Sequence, residues 1–272
     1  MTTRAQPAPA GGFNVMSFNL RYDHAGDGPN AWPHRREMAA AVFSEHRVGL
    51  AGLQEALKGM IDNLQRRLPG YGWIGAGRTD GREEGEFAPI FYDRQRFELG
   101  RHGNFWLSDT PETPGVGWDA LLPRVVTWGV FTDRITGQAC FFLNTHFDHR
   151  GAEARLRSAR LIVERIASLG GGLPAIMTGD LNSTPGSPVI ATLTGDPAFK
   201  LTDGRQISAV PHVGGSQSAN AFQTPGPELV IDYILVGPGV EVQTHGYHPK
   251  TEGGVFVSDH WPVVSRVCLP AG

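Results

Sequence analysis

Short apolar runs, each ending in a polar or charged side chain, recur along this chain and restrict it to strands buried on both faces. The clearest is Leu173-Pro174-Ala175-Ile176-Met177, which leads into Thr178-Gly179-Asp180-Leu181-Asn182. Side chains two apart on extended chain share a face, so Asp180 and Asn182 are expected to face one bound group. An Asx turn ahead of Pro185 and Gly186 accounts for the same residues without a ligand. Five other places carry polar residues on apolar runs. Asn19 closes the run at 13–20, and Glu55 follows Gln54 after a second run. Asn144, His146 and Asp148 share one face of 141–148. Asp232 sits inside 229–235, and Asp259-His260 precedes the last run.

Between these runs the periodicity turns helical at 35–46, at 57–68 and most clearly over residues 152–169, which Gly170-Gly171-Gly172 stops. The middle of the chain is strand-rich, at 71–76, 87–92, 97–107, 125–132 and 140–146. A strand at 173–177, a short helix at 185–193, and strands at 229–236, 240–242 and 263–268 complete the prediction. Polar loops at 77–86, 108–123 and 201–227 lack periodicity. Strands outnumber helices, which predicts an α/β chain with sheets packed face to face and helices outside. Residues 1–12, polar and rich in Pro, Ala and Gly, are expected to form a flexible tail, and residues 13–272 a single domain.

The chain has 272 residues and a formal charge of −3, which does not advertise nucleic-acid binding. Arg35, Arg36, Arg150, Arg155 and Arg157 are nonetheless candidates for a local basic groove. Cys140 and Cys268 lie far apart in apolar runs and are expected as buried free thiols. No run is long enough to span a bilayer and no apolar leader segment is present, so a cytoplasmic protein is expected. No feature specifies an oligomeric state. Trp32, Trp106, Trp118 and Trp261 are candidates for a cleft, although buried core is the commoner fate of tryptophan.

Each polar strand end has a structural explanation when taken alone: Glu55 as a helix cap, His146 as a satisfied core histidine, Asp259 as a turn cap, Asp232 as half of an ion pair. Together they describe a chemistry. Hard oxygen ligands without cysteine suggest Mg²⁺ or Mn²⁺. A metal, oriented histidines and a water-positioning Asp are what hydrolysis of a phosphate ester needs. Arg124, at the start of 124–128, is a candidate phosphate clamp.

The motifs Ser17-Phe18-Asn19-Leu20, Gln54-Glu55, Asn144-Thr145-His146-Phe147-Asp148-His149, Gly179-Asp180-Leu181-Asn182, Ile231-Asp232-Tyr233-Ile234 and Ser258-Asp259-His260-Trp261-Pro262 resemble, in order, those of the endonuclease/exonuclease/phosphatase superfamily. This is the deoxyribonuclease I-like group, and the sequence looks like its bacterial branch, many of whose members are named metal-dependent hydrolases. The resemblance implies a four-layer α/β sandwich, two mixed sheets flanked by helices. It implies Glu55 as main metal ligand, with Asn19 close by and Asp259 at or beside the metal. Asp180 would orient or deprotonate the attacking water, and Asn182 would hold that water or a phosphate oxygen. His260 would bind the scissile phosphate, Asp232 would orient His260, and His146 would be the second active-site histidine. Tyr92 matches a position where some members contact phosphate, and Asn144 joins Arg124 and Tyr92 as a substrate-binding candidate. Leu20-Arg21 stands where repair nucleases of the group carry an acidic residue, which counts against abasic-site cleavage. The expected activity is metal-dependent hydrolysis of a phosphodiester in a small molecule, sugar phosphate or lipid headgroup. A nuclease is the alternative, and a binding protein with a dead site ranks last because no site residue is missing.

Overall fold

The computed structural model describes residues 11–197 and 199–270. In chain order the first half comprises β1 (Phe13–Asn19), a 3-10 turn (Ala25–Asn30), α1 (Trp32–Glu45), β2 (Val48–Gln54), α2 (Lys58–Arg67), β3 (Tyr71–Ile74), β4 (Ile90–Asp93), β5 (Phe97–Trp106) and β6 (Val125–Asp133). The second half comprises β7 (Ala139–His146), α3 (Ala152–Leu169), β8 (Ala175–Asp180), α4 (Pro188–Gly195), β9 (Thr202–Asp203), α5 (Gly204–Ile207), β10 (Asp232–Val236), β11 (Glu241–Tyr247), β12 (Thr251–Glu252), β13 (Val255–Phe256) and β14 (Val263–Cys268). Two six-stranded mixed sheets, ordered β11-β14-β1-β2-β4-β3 and β5-β6-β7-β8-β10-β9, are flanked by helices as expected. The strands that read as near-continuous apolar runs, β2, β8 and β10, are buried along their whole length. Only strands covered on both faces tolerate such runs.

The site follows from register. β1 runs parallel to β2, and β7 parallel to β8, so Asn19, Gln54, His146 and Asp180 all lie at carboxyl ends. His146 pairs with Asp180 across β7–β8, and Asp180 pairs with Asp232 across the antiparallel β8–β10 ladder. Three chemical groups are therefore set side by side by backbone pairing alone.

Beneath this row a polar plug joins the two sheets. Gln54 Nε2 donates to Asn144 Oδ1 at 2.7 Å, and Thr178 Oγ1 donates to the same oxygen at 3.0 Å. Asn144 Nδ2 donates to the Leu53 and Pro89 carbonyls at 2.7 and 3.1 Å. A Cβ at Gly52 would overlap both Thr178 and Asn144, so the sheets approach here as closely as glycine permits.

Several boundaries differ from expectation for local reasons. Pro33 fits the first helical turn, so α1 starts at Trp32. Pro89 has no N–H to give a ladder, and its carbonyl serves Leu53 and Asn144 instead; the strand expected at 87–92 begins at Ile90. The fragment at 240–242 extends to Tyr247 as a half-exposed edge strand whose Gln243, Thr244 and His245 obscure the apolar pattern. The loop at 201–227 holds β9 and α5. Both cysteines are free, but Cys268 is only half-buried. Trp32, Trp106 and Trp261 are core residues. Residues 1–10 of the expected tail lie outside the described residues; the Gly11 and Gly12 carbonyls accept from Arg96.

Candidate functional site

Three residues at the strand ends turn the backbone into the left-handed region: Arg21 at φ 52°, Glu55 at 57° and Asn182 at 46°. That conformation costs a non-glycine residue roughly 1–2 kcal/mol, and each instance aims a polar group into one cleft. After β1, the Arg21 N–H donates to Asn19 Oδ1 at 2.9 Å. After β8, the Asn182 N–H donates to Asp180 Oδ1 at 3.0 Å. This is the Asx turn foreseen as the bland alternative, and it also points the Asn182 amide at His146 Nε2, 3.1 Å away. Asn182 Nδ2 donates to the Phe147 carbonyl as well, at 3.0 Å. Both amide hydrogens are thereby used, and its Oδ1 is left to accept.

The cleft has a volume of about 370 Å³, and its walls include Glu55, Arg124, His146, Asp180, Asn182 and His260. His260 Nδ1 lies 2.8 Å from Asp232 Oδ2, and His260 Nε2 lies 3.9 Å from Asp180 Oδ2. Asn19 Nδ2 donates to both Glu55 Oε1, at 3.1 Å, and Asp180 Oδ2, at 3.0 Å. Glu55 Oε2 accepts from the Tyr22 N–H at 3.1 Å.

The two histidines are driven in opposite directions. Burial works against a charged His260, but Asp232, Asp180 and Asp259 outweigh it and raise its pKa well above the ordinary value. Burial, with Arg124 and Arg78 adding to it, pushes His146 well below that value, so this imidazole is neutral. Because Asn182 Nδ2 donates to its Nε2, the proton of His146 resides on Nδ1, which lies 3.9 Å from Glu86 Oε2. Burial and the neighbouring Asp232 charge raise Asp180 to about 7, against pairing with His260 and hydrogen bonds from Asn182 and Asn19. Burial and Glu55 likewise raise Asp259.

Glu55, Asp180, Asp232 and Asp259 bring four acidic groups to one place. Arg21 lies 3.9 Å from Asp259 but is already bound bidentately to Asp27. Ligand atoms of Asp180, Asp232 and His260 fall within 4.8 Å of one another. The imidazolium proton already bridges the Asp232–His260 pair, which leaves the cation deficit on the side of Glu55 and Asp259. Carboxylate oxygen in excess of its cationic partners, at the partly exposed Glu55 and Asp259 and without sulfur, fits a hard divalent cation.

The structure does not bring all predicted residues to the cleft. Tyr92 faces Phe131, with ring centroids 5.3 Å apart, and pairs with Leu50 well short of the strand end. Asn144 is fully buried in the plug between the sheets. Asn19 presents its amide nitrogen to the carboxylates, while its oxygen holds Arg21, so it links Glu55 to Asp180 and is not placed as an oxygen ligand. Arg124 does line the cleft, braced by Asp148 at 3.4 Å and His149 at 3.1 Å. Arg21, Tyr22, Arg78, Glu86, Leu122 and His149 also line the cleft, without a polar strand end to mark them in the sequence. Arg78 and Glu86 form a bidentate pair at 2.8 and 2.9 Å across a loop that offered only its length as a signal. Arg35, read as part of a basic groove, is wholly buried. Its guanidinium donates to the carbonyls of Leu20, Arg21, Asn30 and Val257, which holds the loop after β1 against the segment before Asp259.

Comparison with known proteins agrees with this geometry. Residues 16–260 match the Endonuclease/Exonuclease/phosphatase family. An endonuclease/exonuclease/phosphatase from Bacteroides vulgatus is 35% identical, with a TM-score of 0.89 over 95% of this chain and 99% of that one. A mannosyl-6-phosphatase from Bacteroides thetaiotaomicron VPI-5482 is 32% identical, with a TM-score of 0.87 over 94% of this chain and 100% of that one. TDP2 of D. rerio, solved with single strand DNA product, shares the fold at 17% identity and a TM-score of 0.73, over 94% of this chain and 98% of that one. With the fold, the order of motifs and the match along most of its length in agreement, this chain belongs to the endonuclease/exonuclease/phosphatase family.

Proposed function

We propose that residues 13–272 form a single catalytic domain that hydrolyses a phosphoester of a small molecule in a reaction dependent on Mg²⁺ or Mn²⁺. The observation that carries this reading is Asp180, a buried carboxylate raised to about 7, set by strand register between His146 and Asp232 and lying 3.9 Å from His260 Nε2. A general base works best with a pKa near the operating pH. Asp180 takes the proton of the attacking water, and Asn182 Oδ1 accepts a hydrogen bond from the same water. His260 Nε2–H donates to the scissile phosphate, with Asp232 holding the charge and orientation of the ring. His146 buttresses Asn182, and Arg124 meets the charge of the phosphate. A cation held by Glu55 and Asp259 would supply further neutralisation of the phosphate charge.

Similarity to a mannosyl-6-phosphatase over 94% of this chain and all of that one supports a sugar phosphate. The nuclease reading ranks second. Of the arginines offered for a basic groove, Arg35 is buried and Arg157 is paired with Glu153 at 2.7 Å. Among the described residues no helix is long and apolar enough to cross a membrane; a cytoplasmic location belongs to the same proposal.

The test is hydrolysis of bis(p-nitrophenyl) phosphate and p-nitrophenyl phosphate with Mg²⁺, Mn²⁺ or EDTA, comparing wild type with Asp180→Asn. Cleavage should require metal and fall by about a hundredfold or more in the variant. The preferred ester separates phosphodiesterase from phosphatase. Turnover unaffected by EDTA, or near-normal turnover in Asp180→Asn, would overturn the reading.

A further inference from the structure

A second cavity, of about 550 Å³, lies beside the catalytic cleft, and Asn182 lines both. It forms where the first turns of α3 and α4 meet the loop after β8 and the segment before β10. Leu156, Val189 and Leu229 contribute apolar surface, whereas Ser183, Thr184 and Ser187 contribute hydroxyls. Ser187 Oγ accepts the Ile190 N–H at 3.4 Å, which leaves its own proton free to donate. No aromatic ring is among the described lining residues, and the charged ones are Arg155 and Glu153, the latter paired with Arg157.

This lining discriminates between occupants. A nucleic-acid strand is held by stacked aromatic rings and a row of cations, and this cavity offers neither. An acyl chain leaves hydroxyls unused. A hexose ring has an apolar C–H face and a rim of hydroxyls, and this lining offers both aliphatic side chains and hydroxyls to it. Ligand pockets of this mixed character fix orientation through a few polar groups and draw affinity from the apolar remainder.

We infer that this cavity holds the alcohol portion of the substrate and that this portion is a hexose-sized polyol, so that the ester cleaved is a sugar phosphate. The inference rests on the phosphoesterase reading and adds where specificity resides. Asn182 marks the border: its backbone N–H and amide belong to the catalytic cleft, and its neighbour Ser183 opens the second cavity. Phosphate and sugar would then occupy adjoining chambers.

The test compares the 6-phosphates of glucose, mannose and galactose with methyl phosphate, whose one-carbon alcohol does not reach the second cavity. Wild type should favour at least one hexose phosphate by about a hundredfold in kcat/KM, the scale set by a few well-placed pocket contacts. Ala152→Trp, at an exposed rim position, should raise KM for that hexose phosphate by about tenfold and leave methyl phosphate within about threefold. Leu229→Trp serves as an independent blocker from the opposite wall. Calorimetric titration of the same hexose phosphate into Asp180→Asn protein, with and without Ala152→Trp, should show the same loss without turnover. Equal losses on both esters, or a wild type that cleaves p-nitrophenyl phosphate without preferring any hexose phosphate, would overturn the cavity assignment alone. Failure on every ester would overturn the phosphoesterase reading with it.

Discussion

Asp232 Oδ2 sits 2.8 Å from His260 Nδ1, and strand pairing sets the same aspartate opposite Asp180. One carboxylate thus raises the pKa of two neighbours at once: it holds His260 as a cation and makes ionisation of Asp180 harder. Asp232→Asn keeps an oxygen acceptor and removes the charge. His260 should lose its proton more readily, and kcat should fall by about a hundredfold, the scale of losing one charge-stabilising group. Steady-state kinetics at saturating metal measures this; turnover close to wild type would show that His260 does not act as a cation.

Glu55 faces the cleft, and among the described residues it is bonded to the Asn19 amide and the Tyr22 N–H and to no basic side chain. Glu55→Gln keeps the size of the side chain and one of the two acceptor oxygens, and removes the charge. Mn²⁺ affinity should drop by about tenfold or more, while the melting temperature in EDTA stays at or above wild type. Calorimetric titration with Mn²⁺ decides, and an unchanged isotherm would remove Glu55 from the metal site.

Asn144 carries four hydrogen bonds inside the plug. Asn144→Ala removes all four and opens a void in the plug; Gln54 Nε2 keeps the Gly52 carbonyl and the Pro89 carbonyl keeps the Leu53 N–H, so the cost expected is roughly 1–3 kcal/mol in total. Urea denaturation should show a lower midpoint, with KM unchanged in the enzyme that remains folded. A raised KM at wild-type stability would restore Asn144 to the substrate-binding set.

His245 is buried on β11, its Nδ1 2.8 Å from Ser265 Oγ, and burial lowers its pKa from 6.5 to about 3. Between those values the unfolded chain binds a proton that the folded protein refuses. Stability is therefore complete above the unfolded value and declines as pH falls toward the folded one, by about 1.4 kcal/mol per pH unit. Melting temperatures from pH 7 to 4 should follow that slope, and His245→Gln should flatten it. Identical slopes in the two proteins would place the acid sensitivity elsewhere.

Much of this arrangement was readable because buried strands admit few polar residues, so Glu55, Asp180, Asp232 and His260 stood out against apolar neighbours. Alternation along a strand tells which residues share a face but not whether that face meets solvent or the opposing sheet. Asn144 and His146 share β7, yet Asn144 lies in the plug and His146 at the cleft. Tyr92 lies away from the cleft because β4 runs antiparallel to β2, so the carboxyl end of β4 points away from Glu55. Arg35 looked like a surface cation because its partners are backbone carbonyls, which have no signature in sequence. Arg78 and Glu86 needed the fold of their loop before either pointed at His146.

The left-handed backbone at Glu55 has an evolutionary consequence. Glycine adopts φ 57° without steric penalty, so a library selected only for heat resistance should enrich Glu55→Gly, a change that deletes the carboxylate while relaxing the chain. Ancestors and engineered descendants that keep glutamate there do so against that drift. Retention of a non-glycine residue at this position is therefore a record of selection for chemistry, readable even in a relative whose substrate has never been assayed.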